Sequence, residues 1–293
     1  MHAHARTVGP LVDLAWLQRN LEEVRIYDAR GRAEVHGGSG LSCSGDYDAY
    51  LEGHVPGAVF VSWVRDGVAA GSNGGPPLLE LDPDAYVPTF EARGLSAEIP
   101  VVVYDDGSSL TAVRVWWQLT VYGAHPVAVL EGGWNAWKAA GLKQELYEPC
   151  PLKLSSVFEA EPAPQHRATA QELHEAAAEG SARVVLVGTA SHPALPGAVI
   201  VTPAQLLASL GDSAVSAGAQ GGMAAVLASA SRVSSSTLAA GLSEALGCPV
   251  GPSSRQRVLL ASPQDAALSA CGLALLLAGA GHKDWAVCEE LHL

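Results

Sequence analysis

Two groups of charged residues in the first half of the chain are spaced for chemistry. Asp28 and Arg30 close the run VRIYDAR, which puts an acid and a base at the carboxyl end of a strand, where open α/β sheets build their sites. Asp105 and Asp106 close VVVYDD and open the polar segment 105–111, which joins a strand directly to a helix. Backbone N–H groups in such a segment converge on an anion at the helix N-terminus. Two carboxylates at that entrance repel an anionic ligand, so a small-molecule site there would suit a cation or a neutral amide better. Arg114, in the first turns of the following helix, is placed to neutralise Asp105 or the sheet-end carboxylates in a structural ion pair.

The thiols offer less. Cys43, Cys150, Cys248, Cys271 and Cys288 are odd in number and scattered, without the close spacing of a zinc or dithiol site, which fits a reducing compartment. Cys43 lies in GGSGLSCSGD, read as a flexible Gly/Ser-rich insertion near the sheet edge, and is the candidate for a reactive or sulfur-accepting thiol. No Lys or Arg lies within five positions to lower its pKa, so an inert exposed thiol is the plainer reading. Cys271 falls inside a helical stretch and Cys288 at the end of a strand, both read as small buried hydrophobes. Cys248 precedes Pro249 in a turn and Cys150 sits in a proline-rich segment; neither follows a strand into an anion-binding loop. His36, His54 and His125 adjoin loops without the three or four convergent ligands a metal needs, so no metal or cofactor is expected. Trp116, Trp117, Trp134 and Trp137 recur at near-helical spacing, as packing residues do.

The elements that must position these residues form two sets. In the first half, the β-branched runs VRIYDAR, GAVFVSW, IPVVVYDD and HPVAVLEGG alternate with helical stretches at 111–122 and 134–140, which predicts a parallel α/β sheet. The segment 147–168, with four prolines and no sustained periodicity, reads as a linker. Beyond it the order recurs more weakly: a helix at 169–180, then RVVLVG, GAVIV, an Ala/Ser-rich helical region, RVLLAS, a further helix and DWAVCEE. Pairing 101–131 with 259–289 at a constant offset of 158 aligns VAVL with WAVC, and GHVPGAVFV echoes HPALPGAVIV, so the halves read as an internal duplication.

Composition narrows the partners. With 293 residues and 48% hydrophobic content the chain is long enough for two packed cores. A net charge of -13 opposes nonspecific binding to nucleic acid or anionic lipid, and the twelve-residue apolar run 270–281 is too short to span a bilayer. The first twelve residues carry no clear targeting signal. Between Pro196 and Ser254 only Asp212, Arg232 and Glu244 are charged, so the second half is expected to offer a charge-poor face to another protein.

The blocks YDAR, DYDAYLEGHVPGAVFVSW, VVVYDDGSSLTAVRVWW and VLEGGWNAWKAAG, in this order and spacing, resemble the tandem rhodanese family of thiosulfate and 3-mercaptopyruvate sulfurtransferases. The resemblance implies an α/β protein of two rhodanese-like domains, each a mostly parallel sheet flanked by helices, here at 1–146 and 169–293. It also implies a catalytic cysteine directly after a strand of the second domain, held as a thiolate by loop amides and carrying sulfur as a persulfide. In the first domain that position is Asp105, an acid that the non-catalytic domain of the family often carries. In the second the candidates are Ser262, Pro263 and Gln264: the constant offset points to Pro263 and the helix alignment to Gln264. None is cysteine. Gly188-Thr189-Ala190 stands where the first half has Asp28-Ala29-Arg30, and the chain stops at Leu293, where the family would continue through a last helix. The second domain is therefore expected to be degenerate and truncated, and Asp28, Arg30, Asp105, Asp106 and Arg114 to be a vestigial site. The function expected is that of an inactive accessory subunit of a larger assembly, mitochondrial by analogy with the family and otherwise cytoplasmic. The alternative is an atypical sulfurtransferase using Cys43 or another thiol.

Overall fold

The computed structural model describes residues 9–36, 40–69, 78–124, 126–147, 156–188, 195–211, 222–262, 265 and 267–290. The chain divides into two compact units, Met1–Ala163 and Pro164–Leu293. This boundary falls inside the proline-rich segment.

In the first unit the elements run β1 (Leu11–Val12), α1 (Leu14–Asn20), β2 (Arg25–Asp28), β3 (Gly31–His36), β4 (Gly40–Gly45), α2 (Tyr47–Glu52), β5 (Ala58–Phe60), β6 (Val68–Ala69), β7 (Leu78–Leu79), α3 (Pro83–Glu91), β8 (Val101–Tyr104), α4 (Leu110–Val121), β9 (Val127–Leu130) and α5 (Gly133–Ala139). Five strands form a parallel sheet in the order β1-β9-β8-β2-β5. VVVY and VAVL are buried at every position, as central strands covered on both faces must be. Ile26, Val102, Tyr104, Ala128 and Leu130 share one core with Trp134 and Trp137, which confirms packing as the role of those indoles. The helix α4 is buried from Thr111 to Val121, Arg114 and Gln118 included.

The stretch around Cys43 is not the loose insertion expected. It is β4, paired antiparallel with β3 from Gly31 opposite Gly45 to His36 opposite Gly40, with Cys43 facing Ala33. The Trp63 indole donates to the Ser44 carbonyl and pins this hairpin, so small residues here mark close packing rather than looseness. The later part of the proline-rich segment is also held. Phe158 is buried, its N–H donating to the Glu91 carboxylate, and Ala163 N–H donates to Val121 O.

The second unit continues with α6 (Ala170–Glu179), β10 (Arg183–Val187), β11 (Val199–Val201), α7 (Pro203–Ser209), α8 (Met223–Ala230), α9 (Ser235–Leu246), β12 (Val258–Ala261), α10 (Leu268–Gly279) and β13 (Trp285–Cys288). Its parallel sheet has the order β11-β10-β12-β13, the same winding as β5-β2-β8-β9. Where β1 flanks β9, a single parallel bridge from Arg167 to Val287 flanks β13, and Thr169 then opens α6 with a capping box closed by Glu172. The duplication is thus visible in topology, with one correction. Arg183 pairs with Val258 as Arg25 pairs with Val101, so β12 matches β8 one residue short of the ungapped offset, and the loop after it is one residue longer.

Candidate functional site

The acid and base at the end of β2 form a closed pair. Arg30 donates to the Asp28 carboxylate through Nε (3.0 Å) and Nη2 (2.7 Å), and through its backbone N–H. Tyr104 adds a fourth donor group at 2.7 Å, Arg30 Nη2 also donates to Gly53 O, and the Tyr104 hydroxyl accepts the Val55 N–H. Both residues of the pair are buried. Burial alone would lower the Arg30 pKa, but the hydrogen bonds and charge of Asp28 outweigh it and the shift is upward. The Tyr104 hydroxyl is held neutral, first by burial and then by the Asp28 charge. Breaking one partner of such a pair costs about 3–5 kcal/mol.

The loop between β8 and α4 is filled by its own first residue. Asp105 Oδ1 accepts the N–H groups of Gly107 (2.9 Å) and Ser109 (2.8 Å), while Oδ2 accepts those of Thr111 (3.2 Å) and Ala112 (3.3 Å) and the hydroxyls of Ser108 and Thr111. The amide convergence read from the sequence is real, but its anion is the Asp105 side chain. Burial raises the Asp105 pKa, against the lowering effect of the amides. Ser109 stands in the left-handed region at φ 61, which turns the chain into α4. Gly133 is required beside it: a Cβ there would lie 2.4 Å from Asp105 O. Asp106 is exposed and accepts the Ser108 N–H.

In the second unit register and hydrogen bonding put Ser262, rather than Pro263 or Gln264, in the place of Asp105. The Ser262 hydroxyl accepts the Ala270 N–H of α10 at 3.0 Å and donates to Asp265 Oδ1 at 2.6 Å. Asp265 Oδ2 takes the N–H and hydroxyl of Ser269, and burial raises its pKa. Ala267, at φ 62, repeats the turn made by Ser109. Pro263 and Gln264 lie outside the described residues, as do Thr189, Ala190, His125, Cys150 and the His36 side chain.

The remaining candidates separate. Arg114 is wholly buried with its guanidinium 4.6 Å from the Trp117 ring centre. The expected pairing is corrected: amides and hydroxyls, not Arg114, take the Asp105 oxygens. Cys43 is half-buried, and burial raises its thiol pKa despite the opposing charge of Arg114. Burial likewise raises Cys248, and pushes Cys288 up to about 11. Cys271 is wholly buried in α10. His54 is a core residue, stacked on Tyr50 at 4.1 Å with Nδ1 on Tyr50 O. Among the described residues no three His, Cys, Asp or Glu side chains cluster to hold a metal.

A cavity of about 400 Å³ opens at the carboxyl end of the first sheet, bounded by Arg30, Arg32, Glu52, Asp106, Trp134 and Lys138 among others. It brings Arg30 and Asp106 together; Asp28, Asp105 and Arg114 do not line it. Tyr104, Lys138 and Asp265 were not singled out by sequence reasoning. For Asp265 the signal was present in SPQDAALS, where an acid stands three residues after one serine and four before another.

Residues 13–140 match the family model described as a rhodanese-like domain. The first half of the chain thus carries a rhodanese-like domain. It is 34% identical over 142 residues to the Mycobacterium tuberculosis protein named "Putative thiosulfate sulfurtransferase SseB", a match covering 48% of this chain and 47% of the relative. The chain thus spans about half the length of the curated relatives it matches. The rhodanese fold extends over both units: Escherichia coli SseA, a 3-mercaptopyruvate sulfurtransferase, superposes over 97% of this chain and 99% of its own at TM-score 0.69 and 20% identity. A sub-stoichiometric sulfur transferase subunit of yeast mitochondrial complex I superposes at TM-score 0.66 and 18% identity, covering 96% of this chain and 94% of its own.

Proposed function

We propose that this rhodanese-family protein transfers no sulfur and serves as an accessory subunit of a larger protein assembly. The observation that carries the first part is the occupation of both strand-to-helix loops by oxygen ligands: the Asp105 carboxylate in one, the Ser262 hydroxyl and Asp265 carboxylate in the other. Sulfur transfer needs a thiolate at that point to attack the donor and carry the persulfide. No cysteine lies in either loop, and burial raises the thiol pKa at Cys43, Cys248 and Cys288.

Support for the second part is the complex I subunit of the same fold, which also motivates a mitochondrial location. Docking through the second unit would rest on its low charge and small residues. Among the described residues, the exposed large hydrophobic side chains all belong to the first unit. The test is the native size of the endogenous chain in its own cell extract by gel filtration and affinity capture. Co-elution with stoichiometric partners above the mass of a monomer is expected; a free monomer contradicts the proposal. Cys43 as an alternative nucleophile would require a thiosulfate-to-cyanide activity that Cys43→Ser abolishes.

A further inference from the structure

We infer that the cavity at the carboxyl end of the first sheet binds a small zwitterion of α-amino-acid size. Its volume, about 400 Å³, lies at the small-ligand end of the range for molecular binding sites. Its wall carries both charges, and the protein does not neutralise them all within itself. Arg30, 4% exposed, spends Nε and Nη2 on Asp28 and Gly53, which leaves Nη1 as the guanidinium nitrogen without a hydrogen bond. The Lys138 ammonium, 5.6 Å from the Trp134 ring centre, makes no hydrogen bond or ion pair with a described residue. The Glu52 carboxylate likewise has no hydrogen-bond or ion-pair partner among them, and Asp106 uses one oxygen, on the Ser108 N–H.

A purely anionic ligand would meet Glu52 and Asp106, and a purely cationic one would meet Arg30 and Lys138. A molecule with a carboxylate for the basic wall and an ammonium for the acidic wall satisfies both, and each contact is a charge-assisted hydrogen bond. The walls are fixed by different elements, α2 for Glu52 and α5 for Lys138. The two walls approach closely at Gly53, where a Cβ would lie 3.2 Å from the Trp134 ring and 3.1 Å from Gln144 Oε1. The inference is independent of sulfur transfer and of any protein partner.

The test is saturation-transfer NMR on the full chain with each of the proteinogenic α-amino acids, followed by titration of the best binder beside its deamino and decarboxy analogues. Binding of at least one amino acid is expected, with each analogue about tenfold or more weaker, as loss of one charge-assisted hydrogen bond implies. Lys138→Gln and Glu52→Gln should each weaken binding by a similar factor, while Glu98→Gln, on an exposed loop outside the cavity, should not. Circular dichroism of each variant separates lost binding from lost fold. No binding by any amino acid overturns the inference. So does a deamino analogue that binds equally well, which would make this an anion site, or a decarboxy analogue that does, which would make it a cation site.

Discussion

The two strand-to-helix loops solve one backbone problem with different side chains. In the first unit a single carboxylate collects four amides, two from within the loop and two from the start of α4. In the second the work is divided: the Ser262 hydroxyl takes one amide of α10, and Asp265 takes another. The turn is the same in both, with Ser109 and Ala267 left-handed at φ 61 and 62. The same turn geometry is thus served by oxygen acceptors in both loops, because buried amides need an acceptor whether or not there is chemistry to do. The Asp28–Arg30 pair has no such successor. At the end of β10 the sequence reads Val187-Gly188-Thr189-Ala190, with neither an acid nor a base where the first unit has Asp28 and Arg30.

The largest effect should come from that asymmetry. Arg30→Ala leaves Asp28 and Tyr104 buried without their cation and should cost about 3–5 kcal/mol of the first unit's stability. Tryptophan fluorescence during urea unfolding reads this unit, since Trp285 is the sole indole of the second. A loss under about 1 kcal/mol would mean the pair is solvated rather than structural.

Next is the loop comparison itself. Asp105→Ala strands four amides and should cost about 3 kcal/mol, whereas Asp265→Ala, which frees one amide and two rotatable hydroxyls, should cost about 1–2 kcal/mol. Circular dichroism over the same urea range compares them, and equal losses would erase the distinction drawn between the loops. A thiol makes the comparison sharper still. With more amides aimed at its position, Asp105→Cys should titrate about one pH unit below Ser262→Cys when thiolate absorbance is followed. The reverse order would show that the first loop has lost its anion geometry.

The smallest effect is on pH. Burial raises the Asp105 pKa, so the folded protein holds that proton more tightly than the unfolded chain does. The stability this contributes is complete below the ordinary aspartate range near ~3.9 and is lost as pH rises through the raised folded value. The urea midpoint of the native protein relative to Asp105→Asn should thus fall as pH rises above the ordinary aspartate range, and a constant difference would contradict the assignment.

Much of this was legible in the residues. The β-branched runs, the strand-to-helix position of Asp105 and the repeated element order in the second half all follow from local patterning, and local patterning is what strand burial and helix capping depend on. Three things were not legible. Gly/Ser-rich sequence around Cys43 reads as loose chain, yet its order comes from cross-strand pairing with β3, a contact with no local signature. The one-residue difference between the loops leaves helix and strand lengths unchanged, so only sheet register reveals it. The satisfaction of Asp105 by its own loop depends on side-chain direction, and spacing could supply the converging amides without saying what they converge on.

The most direct test of the central claim is sulfur transfer from thiosulfate to cyanide by the purified, folded chain, with mass spectrometry for a persulfide on each of the five cysteines. No turnover and no persulfide is the expected result. Turnover accompanied by a persulfide on any one cysteine would contradict it and would identify the nucleophile.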